Sequence, residues 1–167
     1  MSAKRSAQDP GHPRSALYDY PALAEAADHI FVMAWGMHWQ NSGAGPLADW
    51  AWFKGVVNYV AQQPDRQRYV IGVPLYGFDW PAGRTGKANE NADLVRRAAR
   101  VGATPQFDPA ARESQFSYTD PGGRPHEAWF MPAQGVADRV APARGLGFGV
   151  GVWRLGREDQ AVWSSIG

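Results

Sequence analysis

The sequence has no cysteine among its 167 residues, which excludes a thiolate metal site, a redox dithiol and a disulfide framework. It also lacks an excess of charge of either sign. The 17 Lys and Arg are scattered among 16 Asp and Glu, and without a basic stripe no nucleic acid partner is expected. No apolar run approaches the roughly 18 residues of a membrane span. The polar residues 1–15 carry no hydrophobic stretch behind their basic side chains, so neither a membrane partner nor an export signal is expected from them.

Cofactor and metal motifs are missing as well. The glycines between Gly145 and Gly151 fail the Gly-x-Gly-x-x-Gly spacing, because Val150 or Val152 falls on the third position, and close packing of strands is the better account. Gly86-Lys87 is followed by Ala88 and has no glycine five residues earlier, so it is not a phosphate loop. His12, His29 and His38 have no ligand spacing, and His126-Glu127 lacks the second histidine of a helical zinc site. Ser164 and Ser165 have no glycines around them to make a nucleophile elbow. No cofactor and no metal are expected.

What the chain has in abundance is tryptophan, eight residues of it, several beside Gly, Asp or Arg rather than inside apolar runs. An indole fills a core, and its face also stacks on a sugar ring; at this point both readings stand. With 44% hydrophobic residues the chain has apolar material for one ordinary globular domain. It is too short for a whole (β/α)8 barrel, which takes about 250 residues.

Hydrophobic spacing sets out the elements. Residues 1–17 read as loop. Leu17, Tyr20, Leu23, Ala24 and Ala27 have helical spacing over 17–28, and 30–35 is an apolar run of strand length. A Gly/Pro loop at 41–46 precedes a second helical pattern through Trp52, Val56, Val57, Tyr59 and Val60, which Pro64 ends; 69–76 is again a buried-type strand. Two helix-then-strand steps whose strands are apolar throughout predict a parallel sheet with covered faces. Residues 78–146 break that rhythm. A helix is predicted over 88–101, strands over 113–118 and 125–131 around the turn signal Asp120-Pro121-Gly122-Gly123, and a helix over 133–143. The glycine-spaced strand 147–155 then returns, so the interruption reads as a small α+β insertion between two parallel strands.

Three predicted strands finish in aromatic and polar residues: Met33, Trp35, His38 and Trp39 after the first, Tyr76 and Trp80 after the second, Trp153 and Arg154 after the last. In parallel barrels the site is built at that end of the strands, and three such ends together make a cleft with stacking walls. The motifs are Val-Met-Ala-Trp at 32–35, Pro-Leu-Tyr-Gly-Phe-Asp-Trp at 74–80, Phe-Asp-Pro at 107–109, His-Glu-Ala-Trp-Phe at 126–130 and Gly-Val-Trp-Arg-Leu-Gly-Arg-Glu-Asp at 151–159. In this order they resemble strands six, seven, the insertion and strand eight of glycoside hydrolase family 18, closest to its bacterial cell-wall and spore-cortex branch.

The resemblance runs from about residue 18 onward and implies a fold, an activity and a set of site residues. The fold is α/β, a partial (β/α)8 TIM barrel of strands about five to eight with an α+β insertion between the last two. Residues 1–80 are the barrel part, with 1–4 ending strand five; 81–145 are the insertion and final barrel helix; 146–167 are strand eight and the C-terminal segment. The activity is hydrolysis of β-1,4-linked N-acetylglucosamine glycans, chitin or peptidoglycan, by substrate-assisted retaining catalysis. The family's general acid belongs to an Asp-x-x-Asp-x-Asp-x-Glu motif at strand four. That motif is absent from this sequence, and Asp19, Glu25, Asp28 and Glu90 lie outside any matching frame. No catalytic residue is therefore assigned, and the isolated chain is expected to be inactive.

Among supporting residues, Trp153 matches the tryptophan that floors the sugar site and Met33 the methionine that lines it. Trp35 stands where the family usually has tyrosine, and Gly36 where it usually has an acetamido-binding aspartate. Tyr76, His38, Trp39 and Trp80 complete the expected substrate-binding set. Asp79, Arg154, Glu158 and Asp159 read equally as loop anchors or ligand contacts. The implied partner is an N-acetylglucosamine-containing polysaccharide. The implied setting is extracellular or cell-envelope, in a parent fused to deacetylase, glycosyltransferase or cell-wall-binding modules. Two other functions fit the same residues: a non-catalytic chitin-binding or glycan-binding module, and a plain scaffold. Half a barrel would leave strand edges open on both sides.

Overall fold

The computed structural model describes residues 1–9, 15–156 and 158–167; His12, Arg157 and part of the loop expected over 1–17 lie outside them. Two helices begin on aspartate caps. Asp19 accepts the Ala22 N–H at 3.1 Å and starts α1 (Tyr20–Ala26), with Pro21 in its first turn. Asp49 accepts the Trp52 N–H at 2.7 Å and starts α2 (Trp50–Ala61), whose buried Phe53, Val56, Val57 and Val60 make one apolar stripe.

That stripe and α1 cover one face of a three-stranded parallel sheet of order β1-β2-β8: β1 (Ile30–Met33), β2 (Tyr69–Pro74) and β8 (Gly149–Trp153). Ser2 adds a parallel bridge to Met33 on the free side of β1, and the Met33 N–H donates to Met1 O at 2.9 Å. The predicted helix-strand steps are found here. Ile30, Val32, Tyr69 and Ile71 are buried under the helices, whereas Phe31, Met33, Val70, Gly151 and Trp153 are half-buried or exposed on the other face. On that second face the Phe31 ring lies against Gly72 and Gly151. A Cβ at either would come within 2.5 Å and 2.3 Å of it, so the glycines serve close packing, as the sequence suggests.

After Pro74 the chain leaves this sheet. Residues 69–76, expected as one strand, divide at Leu75, and Tyr76 opens β3 (Tyr76–Pro81) in a five-stranded antiparallel sheet of order β4-β3-β7-β6-β5. Its other strands are β4 (Lys87–Glu90), β5 (Gln106–Asp108), β6 (Glu113–Thr119) and β7 (Pro125–Phe130). The helix expected over 88–101 is shortened to α3 (Asn91–Arg100), because its first turn is β4, paired antiparallel with β3 from Tyr76↔Glu90 to Asp79↔Lys87. Ala88 and Glu90 favour a helix, and pairing with β3 overrides that preference.

The expected hairpin turn is present: the Gly123 N–H donates to Asp120 O and the Arg124 N–H to Asp120 Oδ1, each at 2.9 Å. Leu94 and Ala98 of α3 pack on Phe116, Ala128 and Phe130 as the core of this sheet. Helix α4 (Ala133–Gly145) returns the chain to β8, and the short α5 (Val162–Ile166) buries Val162 against Val136 and Val140 of α4.

Candidate functional site

The segment between β1 and α2 leaves the C-terminal end of β1 and folds back on itself. Leu47 O accepts the N–H groups of both Gly36 and Met37 at 2.9 Å, and His38 Nδ1 lies 2.8 Å from Pro46 O. With that carbonyl as acceptor the proton sits on Nδ1, and the imidazole clips the loop shut. Gly36 has φ +106 with nothing within 4 Å of a Cβ there, so the backbone, rather than lack of space, excludes a side chain.

The loop forms one wall of a cavity of about 420 Å³ lined by Met33, Trp35, Gly36, His38, Trp39 and Tyr76, together with Ser2, Arg5 and Trp52. Five of the seven binding residues expected from the sequence meet here. Burial pushes the Tyr76 phenol up to about 12, partly offset by a hydrogen bond with Trp35, so it stays a neutral donor through the neutral range. Trp39 is 39% exposed at the lip. Its carbonyl accepts the Trp80 indole N–H at 3.2 Å.

The other two expected residues are placed elsewhere. Trp80 is only 4% exposed, packed with Leu47 and Phe78. It borders a second, wider cavity of about 1360 Å³ between residues 40–44, the turn 81–85 and strands β6 and β7. Trp153 ends β8, level with Pro74 of β2, and accepts the Leu75 N–H on its carbonyl at 2.6 Å; the peptide to Arg154 is cis. Its side chain is 54% exposed and does not line the first cavity.

Asp79, open between anchor and ligand contact in the sequence, is an anchor. It is buried between Arg97, the Tyr118 hydroxyl at 2.7 Å and His126 Nδ1 at 2.8 Å, and this knot ties β3, β6, β7 and α3 together. Asp159 likewise accepts the Ala161 N–H at 3.0 Å.

Two charged groups escaped the sequence reading. Glu113 of β6 and Arg139 of α4 are both fully buried, 3.3 Å apart. Glu113 accepts the N–H groups of Leu47 at 2.8 Å and Ala48 at 2.9 Å; Arg139 donates to the carbonyls of Ala48, Ala111, Arg112 and Gly135. Burial raises the Glu113 carboxyl to about 7 against the pull of Arg139 and the two amides. A pair this dry is tolerable only because nearly all its lone pairs and protons are used. Spacing offers no signal for a pair 26 residues apart.

Parallel strands whose C-terminal ends gather tryptophan, tyrosine, methionine and histidine around one cavity define an α/β protein with a strand-end aromatic site. The model of the family "Glycosyl hydrolases family 18" matches residues 3–158, and the chain belongs to that family. It is 28% identical over 171 residues to the cortical fragment-lytic enzyme of Bacillus subtilis, covering 98% of this chain and 39% of that one. Among solved structures, the spore cortex-lytic enzyme SleL of Bacillus cereus superposes with a TM-score of 0.86 at 25% identity, over 99% of this chain and 40% of the other. A chitinase of Chromobacterium violaceum superposes with a TM-score of 0.87 at 30% identity, over 99% and 52%. The chain thus spans about half the length, or less, of these relatives. No helix among the described residues is long and apolar enough to cross a membrane.

Proposed function

We propose that this chain is the C-terminal half of a glycosidase acting on β-1,4-linked N-acetylglucosamine glycans, chitin or peptidoglycan, and that it supplies the sugar-stacking side of the site. In this reading β1, β2 and β8 are strands six, seven and eight of a (β/α)8 barrel, and the bridge at Ser2 is the end of strand five. The observation that carries it is the convergence of Met33, Trp35, His38, Trp39 and Tyr76 on one strand-end cavity. Aromatic faces there would stack on sugar rings, and the Tyr76 hydroxyl would donate to a sugar or acetamido oxygen.

The reaction is substrate-assisted: the acetamido oxygen attacks the anomeric carbon while a glutamic acid protonates the leaving oxygen. None of the described residues of the cavity can serve as that acid, because the ionisable side chains among them are Arg5, His38 and Tyr76. His38 is committed to the loop, and Tyr76 holds its proton too tightly. The chain alone therefore binds glycan without cleaving it. A parent working outside the cell or in its envelope, fused to deacetylase, glycosyltransferase or wall-binding modules, suits this chemistry.

The test pairs calorimetric titration with chitotetraose and an assay with a chromogenic chitooligosaccharide. Binding without turnover is expected. In this reading the exposed indole of Trp153, at the end of the neighbouring strand β8, adds a stacking face outside the cavity, and Trp153→Ala should weaken binding by about tenfold, the loss of one stacking contact of roughly 1–1.5 kcal/mol. Turnover by the pure chain would overturn the missing-acid reading; equal affinity in the variant would remove Trp153 from the site. The backbone at Gly36 favours a second reading, a non-catalytic glycan-binding module. Its φ of +106 suits glycine rather than the aspartate that the family resemblance places there.

A further inference from the structure

Of the aromatic rings lining the strand-end cavity, Trp35, His38 and Trp39 belong to one loop, residues 34–49, while Trp52 lies on α2 and Tyr76 on β3. The far end of that loop, Leu47 and Ala48, is fully buried. Among the described residues, the groups that meet the two N–H donors there are the carboxylate oxygens of Glu113, Oε2 on Leu47 at 2.8 Å and Oε1 on Ala48 at 2.9 Å. Arg139 closes the arrangement from below, bonded to Glu113 Oε1 and to Ala48 O. Leu47 passes the restraint on, since its carbonyl takes the N–H groups of Gly36 and Met37, immediately before His38 and Trp39. Three consecutive links thus run from α4 to β6, from β6 to the base of the loop, and from there to the cavity wall. The first two join fully buried residues, and the third reaches the half-buried Gly36 and the more exposed Met37.

We propose that Glu113 and Arg139 are positioning residues for the glycan cavity: the insertion sheet sets the placement of Trp35, His38 and Trp39 through this buried pair. The proposal rests on the reading of the cavity as a glycan site, but its mechanical half does not. A glutamine at 113 has the size of glutamate and cannot replace it. Its NH2 must face either Leu47 N–H or Ala48 N–H, donor against donor, so one link opens.

The test has two arms. In hydrogen exchange on the unmodified chain, the amides of Gly36, Met37, Leu47 and Ala48 should be protected as well as Ile71 at the centre of β2, although they lie in a loop. Glu113→Gln and the milder Arg139→Lys should speed all four. In the second arm, Glu113→Gln should weaken chitotetraose binding by about tenfold, the equilibrium equivalent of losing one charge-assisted hydrogen bond. Val60→Ala, a cavity variant at the far end of α2, serves as control. It lowers the melting temperature without touching the loop, and should bind within about twofold of the unmodified chain.

Loop-like exchange of Leu47 and Ala48 in the unmodified chain would overturn the proposal, as would unchanged affinity in a folded Glu113→Gln or an equal loss in Val60→Ala. If the unmodified chain binds no chitotetraose, the glycan reading fails by itself, and the exchange arm still decides whether the pair sets the loop.

Discussion

At the scale of single residues the cavity is held together by groups whose protonation is settled by burial. Tyr76 shows this most directly. Its phenol is raised from 10 to about 12, chiefly by desolvation, whereas in the unfolded chain it ionises near 10. Above pH 10 the unfolded state gains by losing a proton that the folded state still holds. The contribution of Tyr76 to stability is therefore intact below pH 10 and is lost as the pH climbs through 12. Tyr76→Phe removes that contribution, so the stability difference between the two proteins should shrink over the same interval in urea denaturation from pH 9 to 12. Parallel curves would mean that Tyr76 is open to water. Placement around the cavity is legible in the sequence only where a position follows a strand. Met33, Trp35, His38, Trp39 and Tyr76 cluster at or just past the ends of apolar runs, and all five line one cavity. Trp80 has the same sequence surroundings as Tyr76, yet it is 4% exposed, and nothing in a sequence distinguishes an indole that faces a cavity from one that packs under it.

At the scale of elements the helices that flank the parallel sheet were readable, since their apolar spacing and caps agree. The start of α2 illustrates it: Asp49 takes the Trp52 N–H at 2.7 Å, and the apolar stripe begins at once behind it. Asp49→Ala should cost about 1 kcal/mol, the usual loss of an aspartate cap, and lower the melting temperature without affecting the fold. A stability unchanged in thermal unfolding would show that water or a neighbouring side chain caps the helix instead. The insertion was harder to read. By sequence, β4 reads as the start of a helix because Ala88, Asn89 and Glu90 have little strand propensity; their conformation is set by pairing with β3. β3 itself mixes Gly77 and Asp79 with Phe78 and Trp80. All four residues are buried, so no alternation survives to report a strand. β5 is three residues of mostly exposed side chains, too short for any period. What fastens these strands, the knot around Asp79 and the pair Glu113–Arg139, joins residues far apart in sequence.

For the whole molecule, the decisive feature is that, among the described residues, helices cover only one face of the three-stranded sheet. Helices bury Val32 and Ile71 on one side, while Trp153 is 54% exposed on the other and the outer edge of β8 meets no strand among the described residues. β2 lies between two neighbours, but β8 has one. An unpaired edge strand opens at lower free energy than a central one. Backbone amides of β8 should therefore exchange with solvent faster than those of β2, even though five consecutive residues of the two strands are in register, from Val70↔Gly149 to Pro74↔Trp153. Hydrogen exchange followed by mass spectrometry over 69–74 and 149–153 reads this directly. Equal protection of both strands would mean that something covers the β8 edge in solution. Dilution then distinguishes the sources: protection that fades as the chain is diluted comes from a second copy pairing along β8, and protection that persists comes from the chain itself.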